Sequence, residues 1–215
     1  MTKSVCITPN CIGEGWIERR VARAAFCASR VFKGYYAPAA FARCRHLSTR
    51  DNLTSWSGAT TDAHAYSKVL SKLRGRKVIN AGVPGEVRGE GLERFPGVLD
   101  AYSPQLLILI HGGNDLLRGM DRAQRRANLA AMTQLAKDRG VSVLMLGVTD
   151  SGLTLASADF YQSLAEEFST PIDIGTLPAI LSDRNLKSDY VHPNDQGYHE
   201  ISEAIYRLLS ASSAV

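Results

Sequence analysis

The chain has 215 residues, 45% hydrophobic and 21% charged, a composition that suits one well-buried core and excludes low complexity and wholesale disorder. No uninterrupted apolar run reaches the ~18 residues of a membrane span, so a transmembrane reading is excluded too. The net charge of +4 is uneven: residues 1–50 hold nine basic and two acidic side chains, and the rest hold 16 and 19, so the part that reads as folded is mildly acidic and no nucleic-acid partner is expected.

All four cysteines, Cys6, Cys11, Cys27 and Cys44, precede residue 50. They form no C-x-x-C pair and have no paired histidines at zinc-finger distance, so no metal is expected. Met1 to Thr49 lacks a basic stretch followed by a continuous apolar one, which makes a cytoplasmic location the default. Residues 1–49 thus read as an atypical basic, cysteine-containing segment, whose order the sequence leaves open, ahead of a domain over 50–215. Phe41 to Arg50 is too charged for the buried opening strand that a parallel sheet requires.

From residue 63 helical and extended segments alternate. Ala63 to Leu73 sets Tyr66, Val69, Leu70 and Leu73 on one stripe, and Lys77–Asn80 is a short strand. Gly91 to Tyr102 reads as a helix with Leu92, Phe95, Val98 and Leu99 inward and with Pro96 as a break or kink near its start. Leu106–Ile110 is apolar on both faces, as a covered central strand would be. Asp121 to Arg139 is the clearest helix, stopped by Gly140. Val141–Val148, Ala158–Phe168, Pro171–Ile174 and Asn194–Ser210 follow as strand, helix, strand and helix. Strands joined by helices imply parallel pairing with right-handed crossovers, hence a three-layer α/β/α sandwich with its site at the carboxyl ends of the strands.

Three short segments stand at such ends. In Asn80-Ala81-Gly82-Val83-Pro84-Gly85-Glu86 the glycines permit positive φ, which can turn backbone N–H groups toward an anion; an ordinary turn accounts for it equally well. His111-Gly112-Gly113-Asn114-Asp115 would hold a neutral amide donor beside the most buried strand, or simply a turn. In Asp189-Tyr190-Val191-His192-Pro193-Asn194 a carboxylate three residues ahead of an imidazole can fix its tautomer. There the plain alternative is that Asp189 or Asn194 caps the last helix. His111 reads as a packed, hydrogen-bonded histidine, Asp173 has no motif context, and Arg122, Arg125 and Arg126 read as a solvated helix face. Trp56 is a candidate for the border of a pocket.

In this order and at this spacing the three segments resemble the SGNH hydrolase superfamily, also called the GDSL esterase/lipase family, in its arylesterase, lysophospholipase and acyl-thioesterase branch. The likeness covers roughly residues 51–212. It implies a flavodoxin-like fold, no metal or other cofactor, and a small-molecule acyl ester or thioester as substrate. It further implies that Gly85 supplies a backbone oxyanion N–H and Asn114 a side-chain one, that His192 is the general base and that Asp189 orients it. The family's Gly-Asp-Ser-Leu-Thr appears here as Arg50-Asp51-Asn52-Leu53-Thr54. Asn52 therefore stands in the nucleophile slot, and a carboxamide has no hydroxyl for His192 to deprotonate. Two expectations follow: an ester hydrolase whose turnover is lost or severely reduced, or a non-catalytic protein that binds an acyl or acetylated ligand. The oligomeric state is not legible.

Overall fold

The computed structural model describes residues 46–50, 57–86, 88–150 and 156–213. Five strands form one sheet: β1 (His46–Arg50), β2 (Val78–Asn80), β3 (Leu106–Ile110), β4 (Ser142–Leu146) and β5 (Ile172–Asp173). Their order is β2-β1-β3-β4-β5 and every pairing is parallel. That order is the doubly wound one, in which the direction of crossover reverses between β1 and β3 and opens a crevice at the carboxyl edge.

The helices are α1 (Tyr66–Arg74), α2 (Arg88–Tyr102), α3 (Gly113–Leu117), α4 (Arg122–Asp138), α5 (Phe160–Glu167), α6 (Thr176–Ser182) and α7 (Asp195–Ser213). α1 packs with α7, and α2 with α4. The two pairs come from crossovers running in opposite directions along the sheet, so right-handed connections send them to opposite faces. Between the layers lie all five residues of β3 together with Tyr66, Phe95, Met132 and Tyr198, each at most 1% exposed.

The opening strand overturns one expectation. His46–Arg50 pairs with β2 on one side and β3 on the other, in register His46↔Val78 and Arg50↔Ile110. The charge that argued against a strand belongs mostly to Arg43 and Arg45, ahead of the paired residues, while Leu47-Ser48-Thr49 at the centre is neutral. Backbone groups make the ladder, so neutral polar residues can occupy it.

Other differences are local. α2 begins at Arg88 and runs through Pro96 without ending. α1 buries Tyr66, Ser67 and Leu70, whereas Leu73 is 37% exposed. α3 and α6 were not expected. α6 starts where Asp173 accepts hydrogen bonds from the N–H groups of Gly175 and Thr176 and from Thr176 Oγ1, an Asx-type turn that leads the chain into the helix. Arg125 corrects the solvated-face reading of its cluster. It is 7% exposed, donates to Asp150 at 3.3 Å and lies over the Phe160 ring, while Arg122 and Arg126 stay on the surface beside Asp159 and Glu167.

Candidate active site

The parallel register brings the carboxyl ends of β2, β1 and β3 to one edge, and the chain leaves that edge after Asn80, Arg50 and Ile110. After Asn80 the loop closes on itself: Asn80 Oδ1 accepts from Gly82 N–H at 2.9 Å and Val83 O from Glu86 N–H at 3.3 Å. Gly85 has φ +75°, and a Cβ there would meet nothing within 4 Å, so the backbone conformation rather than lack of space favours glycine. After Ile110, Gly112 at φ 132° turns the chain directly into α3. This sets Asn114, 7% exposed, at the sheet edge, where its Nδ2 donates to Glu86 O at 3.0 Å. The two loops are therefore joined at the residue after Gly85.

The third segment folds around Asp189. Its Oδ1 accepts from the N–H groups of Val191 and His192 at 2.8 and 2.9 Å, and its Oδ2 lies 2.7 Å from His192 Nδ1. An ionised carboxylate only accepts, so the Nδ1 proton lies toward Asp189 and the lone pair is left on Nε2, as a general base requires. The plain alternative is half right. Asn194 does cap α7, accepting from Gly197 N–H at 3.0 Å, whereas Asp189 serves the histidine.

Partial burial raises the Asp189 carboxyl, but the His192 side chain, the two backbone N–H groups and the nearby imidazole charge outweigh it and hold the pKa below the ordinary value. A carboxyl depressed in the folded state adds stability that is complete above its unfolded pKa of about 3.9 and is lost as pH falls through the lower folded value. Thermal melts between pH 6 and pH 2 are thus expected to show a shallower acid slope in Asp189→Asn than in the parent chain. Superimposable slopes would remove this assignment.

His192 and Asn114 line one pocket, together with Gly113, Leu117, Thr149 and Leu177. The turn carrying His192 is also pressed against the segment at Ser57–Thr60. An added Cβ on Gly58 would overlap Ser188 Oγ and lie 2.5 Å from Pro193 O and 2.9 Å from His192 Cβ. Tyr198 donates to Ser57 O at 2.7 Å, and Asp195 accepts from both N–H and Oγ1 of Thr60. Asn52 and Trp56 lie outside the described residues. Among the described residues no group of three His, Cys, Asp or Glu side chains gathers as a metal ion would need.

The model of the GDSL-like lipase/acylhydrolase family matches residues 49–200. The chain belongs to that family. It is 44% identical to esterase TesA of Pseudomonas aeruginosa over 72 residues, which are 34% of this chain and 36% of that one, so the match spans about a third of the relative. It is 29% identical to an arylesterase of Vibrio mimicus over 161 residues, 72% of this chain and 78% of the arylesterase. The crystal structure of TesA superimposes with a TM-score of 0.71 at 26% identity, covering 78% of this chain and 99% of TesA.

In this GDSL-family chain the loops after Asn80 and Ile110 meet at the sheet edge, and residues without a motif surround them. Val148, Thr149, Leu177 and Leu181 reach the pocket from the end of β4 and from α6, and they carry no motif. Arg94 and Arg118 were also missed, although each donates to the loop that holds Gly85.

Proposed function

We propose that the site is built to hydrolyse small acyl esters or thioesters by a Ser-His-Asp-type mechanism, and that in this chain Asn52 replaces the nucleophile, so that turnover is lost or severely reduced. The observation that carries this reading is the alignment of Asp189 Oδ2 on His192 Nδ1 at 2.7 Å, with His192 and Asn114 on one pocket. The end of β1 between β2 and β3 supports it, because position 52 follows two residues after Arg50.

In this mechanism a serine hydroxyl at position 52 attacks the acyl carbonyl while Nε2 of His192 takes its proton. The carbonyl oxygen gains charge and is met by the Asn114 amide and the Gly85 N–H, each such donor typically contributing ~3 kcal/mol. His192 returns the proton to the leaving alcohol or thiol, and water then releases the acyl group by the same route. An asparagine cannot begin this sequence, because its nitrogen lone pair is delocalised into the carbonyl. What persists is a pocket that can hold an acyl group, with Leu117, Leu177 and Leu181 among its apolar lining.

The test is hydrolysis of p-nitrophenyl butyrate by the parent chain and by Asn52→Ser. The expected result is background rate from the parent and turnover from the variant. An equally active parent would contradict the role given to Asn52, and a folded but inert Asn52→Ser would contradict the site.

A further inference from the structure

Glu86 lies in the loop after β2 and is 6% exposed. Its carboxylate accepts from Nε and Nη2 of Arg94 at 2.9 and 3.2 Å. The same Nη2 also donates to Ala81 O at 3.0 Å. One guanidinium, carried on α2, therefore holds the loop after β2 at two points, the Ala81 carbonyl and the Glu86 carboxylate. From the other side α3 supplies Asn114 Nδ2 to Glu86 O, and just past its end Arg118 Nη2 donates to Gly85 O at 2.9 Å. The close approach of α2 depends on Gly91. An added Cβ there would lie 3.2 Å from Glu86 Oε2 and 2.8 Å from Nε2 of His111.

The choice of a charged pair is informative. Glu86 is 6% exposed and Arg94 35%, so the carboxylate carries most of the desolvation cost, and an apolar contact of similar size would avoid it. What the two-point guanidinium–carboxylate contact supplies is direction: two N–H···O bonds fix the angle of the carboxylate and with it the rotation of the Glu86 backbone. Glu86 O is in turn the acceptor for Asn114 Nδ2, so it determines which end of that amide is the donor and how its plane is set.

Resting on the function proposed above, we propose that the Arg94–Glu86 pair is a positioning element for the oxyanion donors, holding the Gly85 peptide and the Asn114 amide in one fixed relation without touching substrate itself. Such a residue acts on the transition state more than on the bound ester, since a displacement of about 1 Å in a donor can cost about 100-fold in rate. Its removal thus lowers kcat and leaves KM nearly unchanged.

The experiment places Arg94→Met and Glu86→Gln separately in the Asn52→Ser chain and follows p-nitrophenyl butyrate hydrolysis. The expected result is a fall in kcat of about 10- to 100-fold with KM held within about threefold. In parallel, the Asn114 side-chain NH₂ resonances are compared between the parent chain and each variant made in it, and they are expected to move. A kcat within twofold of the background chain, a loss appearing mainly in KM, or unmoved Asn114 resonances overturns the proposal. If Asn52→Ser shows no turnover, the hydrolase reading fails on its own and the Asn114 resonances decide the positioning claim. If Arg94→Met does not fold, Glu86→Gln, which keeps the side-chain volume, carries the test. Loss of fold in both assigns the pair to stability and overturns its positioning role.

Discussion

Serine in place of Asn52 is expected to raise kcat/KM for p-nitrophenyl butyrate by about 10³-fold or more, and His192→Ala in that chain is expected to return it close to the parent level. The size follows from how such groups act together, because removing either the nucleophile or its base from an intact constellation costs about 10⁴- to 10⁶-fold. The Asp189–His192 contact is already formed at 2.7 Å, so the tautomer of the proposed base is set before the hydroxyl is introduced. Steady-state kinetics on four chains check this: parent, Asn52→Ser, His192→Ala, and the double variant. Turnover that persists in the double variant would mean that His192 is not the base. Among nearby hydroxyls, Thr54 and Ser55 lie outside the described residues, while Ser57 carries the carbonyl that accepts from Tyr198.

The second large effect is on stability. Gly58→Ala is expected to destabilise the fold by about 3–5 kcal/mol, from about 1–3 for a non-glycine residue in strained backbone and a similar amount for overpacking. Its φ is +92°, and the added methyl would meet Pro193 O at 2.5 Å, a backbone atom that cannot swing aside. For a domain of this size the midpoint should fall by roughly 2–4 °C per kcal/mol. Gly75→Ala is the matched control. Gly75 also has positive φ, at +61°, but a Cβ there meets nothing within 4 Å, so only the backbone cost applies. Thermal denaturation of both variants separates the two contributions. Equal losses would show that the contact between residue 58 and the His192 turn is looser than the geometry requires.

Much of the architecture was readable because it depends on local pattern. The run Leu106–Ile110 is apolar at every position, and only a strand covered on both faces uses that pattern. Arg122–Asp138 has both a cap at Asp121 and an apolar face. β1 was not readable, since three neutral residues between charged ones form a strand only when β2 and β3 offer partners on both edges. Arg125 was misread for a related reason. On a helix wheel it joins Arg122 and Arg126, and its burial depends on Asp150 and Phe160, which are distant in sequence.

The candidate site divides along the same line. The spacing of Asp189 and His192 is a local matter of three residues, and the turn that joins them could be anticipated from the sequence, as could the positive φ of Gly85 and the amide of Asn114. The convergence of those segments depended on the order of the strands. Parallel pairing of β1 between β2 and β3 lines up three loop origins at one edge, and the packing of Gly58 against Pro193 brings the fourth segment beside them. The lining residues from the segment after β4 and from α6, and the contacts of Arg94 with Ala81 and Glu86, exist only in three dimensions. A single apolar or charged side chain has no sequence signature for a partner it meets through tertiary contact, whereas a capping carboxylate, a glycine turn and an i to i+3 pair find theirs within one turn of chain.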